Sequence, residues 1–182
     1  MLLVMRRAWW DNIAEAENKP PPETPGNSPA GRALVAIGLG GLIAGACDLT
    51  YAVTFYAVRG GKPIRIPQVI ASGLLGVDSF KAGWASASLG IALHFLIALT
   101  AAGLYYLASR KLKFLVSWAG VCGILYGAAI FFFMRLVVLP LSAAPPFKPS
   151  WLAFSTDLAV HLFFVGLPIA FCVRHFGKPV SR

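Results

Sequence analysis

WASASLGIALHFLIALTAAGLYYLA, residues 84–108, is the stretch that decides the fold. Its 25 residues contain no Asp, Glu, Lys or Arg, and one histidine, His94, stands near the middle. A bilayer's hydrocarbon core takes about 20 apolar residues of helix at a rise of ~1.5 Å each. The stretch is therefore a transmembrane helix. Working outward from it, three more segments read the same way, giving spans at about 34–58, 84–108, 114–139 and 151–173.

The whole chain carries this signature. Charged residues are 13% of the 182 and the hydrophobic set is 58%, with a mean hydropathy of +0.72. A soluble domain has about 25% charged and 45–50% apolar residues. The expected fold is all-α: an integral membrane four-helix bundle over 33–175, with one short interfacial amphipathic helix. The formal charge of +9 reads as Lys and Arg flanking the spans rather than as a nucleic-acid surface, because no basic run is long enough to track a phosphate backbone. Cys47, Cys122 and Cys172 are far apart and inside apolar segments, so they read as small core residues and not as a metal or disulfide pair.

Residues 1–32 read as a disordered or interfacial N-terminal arm. Within it KPPPETPGNSPA, residues 19–30, carries five prolines, which suits an extended linker. After the first span, RGGKPIR ends the helix. The piece over 66–81 then places Ile66, Val69, Ile70, Leu74 and Val77 at helical spacing, predicting about four turns lying at the membrane interface. Prolines 140, 145, 146 and 149 predict a non-helical connector before the fourth span, where Pro168 predicts a kink. Residues 176–182 form a basic tail. Counted by side, ten Lys and Arg share the side of both termini against five on the other, so both termini are expected in the cytoplasm.

Two GxxxG pairs, Gly41/Gly45 and Gly123/Gly127, mark helix-packing faces. They predict that the first and third spans pack through glycine. The same faces would also serve a homo-oligomer or a larger membrane complex.

Five ionisable residues fall inside the spans: Asp48, His94, Arg135, Asp157 and His161. Each costs roughly 2.5–3.5 kcal/mol near the bilayer centre, so each is a functional hypothesis. Counting residues from the span ends places Asp48 level with His94 and Arg135 level with Asp157. This suggests two charge-compensated pairs, with His161 one turn deeper than Asp157. Three readings are open. The plainest is interhelical glue, at about 0.6 kcal/mol per contact. A proton-handling or solute-binding centre is the second. The third is a b-type haem held between His94 and His161 as axial ligands. Apart from that haem, no cofactor or metal is expected. Enzymatic signatures such as GxSxG, HExxH or a phosphate-binding glycine loop are missing from the sequence, so a non-enzymatic role is expected.

GLIAG in the first span, LHFLIALTAAGLYY in the second, VVLPLSAAPP leaving the third and DLAVH in the fourth resemble small bacterial inner-membrane proteins of the YagU-like kind. The resemblance spans roughly residues 34–175. It implies a multi-pass protein of the bacterial inner membrane, acting in membrane homeostasis or as the accessory subunit of a membrane complex.

Overall fold

Ser28 starts the first helix by accepting a hydrogen bond from the Gly31 amide (3.0 Å), and Pro29 takes the first helical position. Proline is suited there because its missing N–H would have had no partner in the first turn. The computed structural model describes residues 28–146 and 150–177. Within these the protein is helical, with no strand. Helix α1 runs Pro29–Ala57, α2 Arg65–Leu75, α3 Gly83–Lys111, α4 Ala119–Leu141 and α5 Trp151–Phe176. All but α2 are long and apolar enough to cross a membrane, with mean hydropathy of 1.8 to 2.2 over their most apolar stretches. Their outward faces carry large apolar side chains, among them Leu34, Leu96, Leu107, Leu125 and Leu136, each at least 60% exposed. In water such a surface would be a liability, and against lipid it is the expected one.

The four long helices form an antiparallel bundle. Its two ends differ. At the terminal end lie the start of α1, the end of α3, the start of α4 and the end of α5. The opposite end is covered by α2, and we call it the roofed end.

Several boundaries differ from the sequence expectation, each for a local reason. The arm expected over 1–32 ends earlier, because the Ser28 cap and Pro29 bring Ala30, Gly31 and Arg32 into α1; residues 1–27 of it lie outside the described residues. The connector's residues 147–149 and all but the first two residues of the 176–182 tail also lie outside. Helix α5 reaches Phe176, with Arg174 and His175 in its last turn, where cations favour the negative end of the helix dipole. The third span does not begin at 114. Phe114–Ser117 is a separate turn, and Trp118 (φ −105°, ψ 40°) breaks it from α4. The buried Tyr105 hydroxyl donates to the Leu115 carbonyl at 2.9 Å, in the middle of that turn.

Both mid-span prolines are absorbed. Pro140 lies inside α4 and Pro168 inside α5, and a π-helical turn precedes each: Met134–Val138 and His161–Gly166. Proline removes one amide and crowds the carbonyl four residues back. Those carbonyls belong to Leu136 and Phe164, both within the widened turns, which gives the ring its room.

The segment over 66–81 is not a single amphipathic helix. Helix α2 stops at Gly76, which adopts φ 60°, and a 3-10 turn, Gly76–Phe80, follows. Nor does α2 bury its aliphatic stripe. Pro67, Gln68, Ala71 and Ser72 are the buried residues, while Leu74 and Val77 are exposed. A polar latch explains the inversion. Gln68 Nε2 donates to the Gly83 carbonyl (3.1 Å) and toward Ser86 Oγ (3.4 Å), and Ser86 Oγ donates to the Ser79 carbonyl (2.6 Å). The approach is close enough that a Cβ on Gly90 would collide with the Pro67 carbonyl. Helix α2 is thus a wedge seated on α3, and it is further tied to the end of α4 by the Ala143 amide donating to the Gly73 carbonyl (3.0 Å).

The glycine faces pair differently from expectation. A Cβ on Gly41 would meet Leu99, and one on Gly45 would meet Phe95, both on α3. A Cβ on Gly123 would meet Ala170 and the Gly166 carbonyl, and one on Gly127 the His161 carbonyl, all on α5. The first span therefore packs on the second and the third on the fourth, rather than first on third. Lipid offers no apolar driving force, so glycines go where backbones cross most closely, and the sequence does not state which neighbour that is. All four glycines are buried within the chain.

The terminal half holds the packed core: Ala36, Ala44, Ala102, Tyr105, Ile169 and Val173 are among its buried members. Two tyrosine hydroxyls there are bonded, Tyr105 to Leu115 as above and Tyr126 to the Ala101 carbonyl at 2.7 Å.

Candidate functional site

Between the packed core and α2 lies a cavity of about 300 Å³. Four helices each bring an ionisable group to it. Asp48 comes from α1, His94 from α3, Arg135 from the π turn of α4, and Asp157 with His161 from α5. Asp157 and His161 share a helix face because they are one turn apart.

The five form a chain rather than two separate pairs. His94 Nε2 lies 4.0 Å from Asp48 Oδ2. The other Asp48 oxygen, Oδ1, is 3.7 Å from His161 Nδ1. His161 Nδ1 is in turn 3.4 Å from Asp157 Oδ1, and Asp157 Oδ2 is 3.9 Å from Arg135 Nη1. Asp48 and His94 meet, as do Arg135 and Asp157, and His161 bridges the two pairs. None of these approaches has the 2.7–3.2 Å of a formed N–H···O hydrogen bond. The side chains keep between 13% and 34% of their surface exposed, so a small solute or water can reach them.

The ring nitrogens are committed to backbone instead. His94 Nε2 is 2.8 Å from the Gly45 carbonyl and His161 Nδ1 is 3.0 Å from the Asp157 carbonyl. A carbonyl can only accept, so each of these nitrogens carries its proton. The nitrogens left to gain a proton are His94 Nδ1 and His161 Nε2. The His161 ring also meets Phe131 edge-on, with centroids 5.3 Å apart.

Arg135 is held by aromatic faces as well as by charge. Its Cζ is 5.3 Å from the ring centroids of both Phe131 and Phe154, within the range of a cation–π contact. Phe131 precedes Arg135 by four residues, a helical-neighbour signal that sequence reading did not use. Tyr51 and Thr156 were also missed. The Tyr51 hydroxyl donates to Thr156 Oγ1 and ties α1 to α5 one turn from Asp48. Tyr51 sits three residues after Asp48 on the same helix face, and that spacing was the available signal. From α2, Ile66, Val69 and Ile70 roof the cavity; their partner is a cavity rather than a lipid surface.

Two ligand questions follow from this geometry. The haem reading needs imidazoles facing each other across an open plane. Here His94 and His161 face opposite oxygens of the single Asp48 carboxylate, which takes the place an iron would need, so the residues do not fit haem. A metal ion has a better donor set: Asp48, Asp157 and His161 offer atoms all within 4.8 Å of one another. Two things oppose it. The His161 nitrogen nearest the carboxylates already carries a proton, and Arg135 places a fixed positive charge beside Asp157.

Comparison of the chain with protein-family models, curated proteins and solved structures finds no match.

Proposed function

We propose that this is a non-enzymatic, proton-coupled membrane protein that handles a small solute in the cavity between its packed core and α2. One observation carries the reading. The cluster has two carboxylates, Asp48 and Asp157, against one guanidinium, Arg135, and holds them at 3.4–4.0 Å around open space. In a medium as apolar as a bilayer, an uncompensated charge is costly. The cluster is one positive charge short of neutral, and a proton on either histidine supplies it.

The charged and titratable groups facing the histidines are few. Asp48 faces them from α1, Arg135 from α4 and Asp157 from α5, while α2 contributes only the aliphatic Ile66, Val69 and Ile70; the Tyr51 hydroxyl is taken up by Thr156. Proton gain falls on His161 Nε2 or His94 Nδ1, since the other ring nitrogens are bound to carbonyls. Loss of that proton restores the negative charge, and a bound cation can take the proton's place. Simple glue would join these groups by formed hydrogen bonds, as Tyr105 and Tyr126 are joined in the core.

For location, the excess of Lys and Arg on the terminal side supports cytoplasmic termini, which makes α2 an outer-face element. The YagU-like resemblance supports the bacterial inner membrane.

A histidine-selective NMR titration of the purified protein in detergent, from about pH 5 to 8, tests the reading. Of the two cluster histidines, His94 and His161, one is expected to change charge in that range, with a midpoint that differs between the native protein and Asp48→Asn. Identical titrations in the two proteins would overturn it.

A further inference from the structure

The proton reading leaves the solute open, and the walls of the cavity narrow it. The polar side chains in the lining are the five ionisable ones, and the rest of it is apolar, including Ile66, Ile70, Ile97, Ile130 and Val165, which offer no hydrogen bond. A volume of about 300 Å³ is at the small end of the ~300–1,000 Å³ found for organic ligands. Such a space suits a compact molecule with an apolar body and one polar head.

The charge of the head follows from which group lacks a partner. Asp157 has Arg135, and Arg135 is flanked by Phe131 and Phe154. Among the described residues, Asp48 has no Lys or Arg within salt-bridge distance. Its ion-pair neighbours are His94 and His161, both neutral unless protonated. An anionic head would add repulsion to a site already negative. A neutral head would leave the deficit in place. A cationic head resolves it, and Asp48 is its anchor.

We propose that this cavity binds a small organic cation, a protonated primary amine on a compact hydrocarbon body, with its ammonium on the Asp48 carboxylate. The identification of the solute rests on the proton reading above. Binding adds one positive charge to the cluster, so a cluster already holding a proton on a histidine gives that proton up, and the total charge stays the same.

The experiment uses 2-phenylethylamine as probe, with 2-phenylethanol and 3-phenylpropionate as its neutral and anionic counterparts. Heats of binding to the full chain in detergent are measured at about pH 6, close to the ordinary histidine range. Two buffers of different ionisation enthalpy are used, so that released protons can be counted. The amine is expected to bind at least about tenfold more tightly than either counterpart, a difference of about 1.4 kcal/mol. Asp48→Asn is expected to remove that preference. Ala52→Phe, which fills the cavity from α1 without changing its charge, is expected to remove binding altogether, with helical circular dichroism showing that both variants fold. Equal binding of amine and alcohol, or no amine binding to the native protein, would overturn the proposal. The proton reading fails separately. Amine binding without proton release upholds the amine site and removes proton coupling, whereas a normal histidine titration with no amine binding does the reverse.

Discussion

The terminal half and the roofed half of this bundle both bury polar groups, and they hold them differently. In the terminal half, Tyr105 and Tyr126 donate to backbone carbonyls at 2.9 and 2.7 Å within a close-packed core of alanines. Toward the roof, four charge contacts stretch over 3.4–4.0 Å around a cavity. A polar group placed for stability is brought to hydrogen-bond distance and sealed. One held near its partner, reachable and unsealed, is placed for exchange. The contrast separates scaffold from site without reference to residue type, since both halves use groups that are costly in lipid.

The largest effect should come from breaking the scaffold. Gly127→Val would drive a branched side chain into the His161 backbone carbonyl. Overpacking of this kind costs about 1–3 kcal/mol and sometimes more, so thermal unfolding in detergent should show a strongly destabilised or unfolded protein. A melting curve like that of the native chain would mean that the α4–α5 crossing is looser than described.

Tyr126→Phe sharpens the comparison within the packed half. It deletes the 2.7 Å bond to Ala101 and keeps the ring. The expected loss is about 0.6–1.5 kcal/mol, read as a small drop in melting temperature that does not depend on pH.

Asp157→Asn in the roofed half should do the opposite. Its stability effect should fall below that of Tyr126→Phe, since its charge contacts are long, while the histidine titration changes. If Asp157→Asn proves the more destabilising of the two, the roofed half is scaffold as well, and the contrast fails.

The smallest effect belongs outside the membrane, at the exposed Lys81–Asp78 pair (2.8 Å). The hydrogen bond and charge of the Lys81 ammonium hold the Asp78 carboxyl below its ordinary range. A lowered carboxylate contributes above its unfolded value, about 3.9, and the contribution disappears as pH falls through the lower folded value. Asp78→Asn should therefore melt slightly below the native protein at neutral pH, a small effect because the pair is exposed. The difference should close on the acid side, where the native protein loses what the variant never had. A clear loss at neutral pH would give the 3-10 turn a structural weight that its exposure argues against.

Much of this was legible in the sequence. Continuous apolar runs identify the spans because the bilayer sets their length, and ionisable residues inside them stand out because each one is costly there. Counting along a helix also gives depth, which is why Asp48 with His94 and Arg135 with Asp157 were recognisable as level. Depth does not give azimuth. Whether His161 turns toward Asp48, and whether Gly41 faces the second span or the third, depends on how the helices rotate against one another, and that is a property of the assembled bundle. The role of α2 was hidden for a related reason. Its aliphatic stripe suggested a lipid surface, but burial went to Gln68 and Ser72, and the Gln68 hydrogen bonds to α3 have no periodic signature. Proline misled at 140 because a stop signal read residue by residue does not include a widened turn upstream.

Those widened turns have a consequence in terms of insertion and deletion. A π turn is an α-helix with one residue too many, so α4 and α5 can each lose a single residue near the proline and remain helical. Such a deletion would leave the flanking segments facing as they do now, because the widened turn already takes up the ~100° that one more residue would add. Removing one residue between Met134 and Val138 would keep Phe131 and Gly127 seated on α5 and the exit of the helix facing as before, but it would close the turn that gives the Pro140 ring its room. The extra residue accommodates the proline without turning the helix, and the length of these two helices is therefore as much a part of the site's frame as any side chain in it.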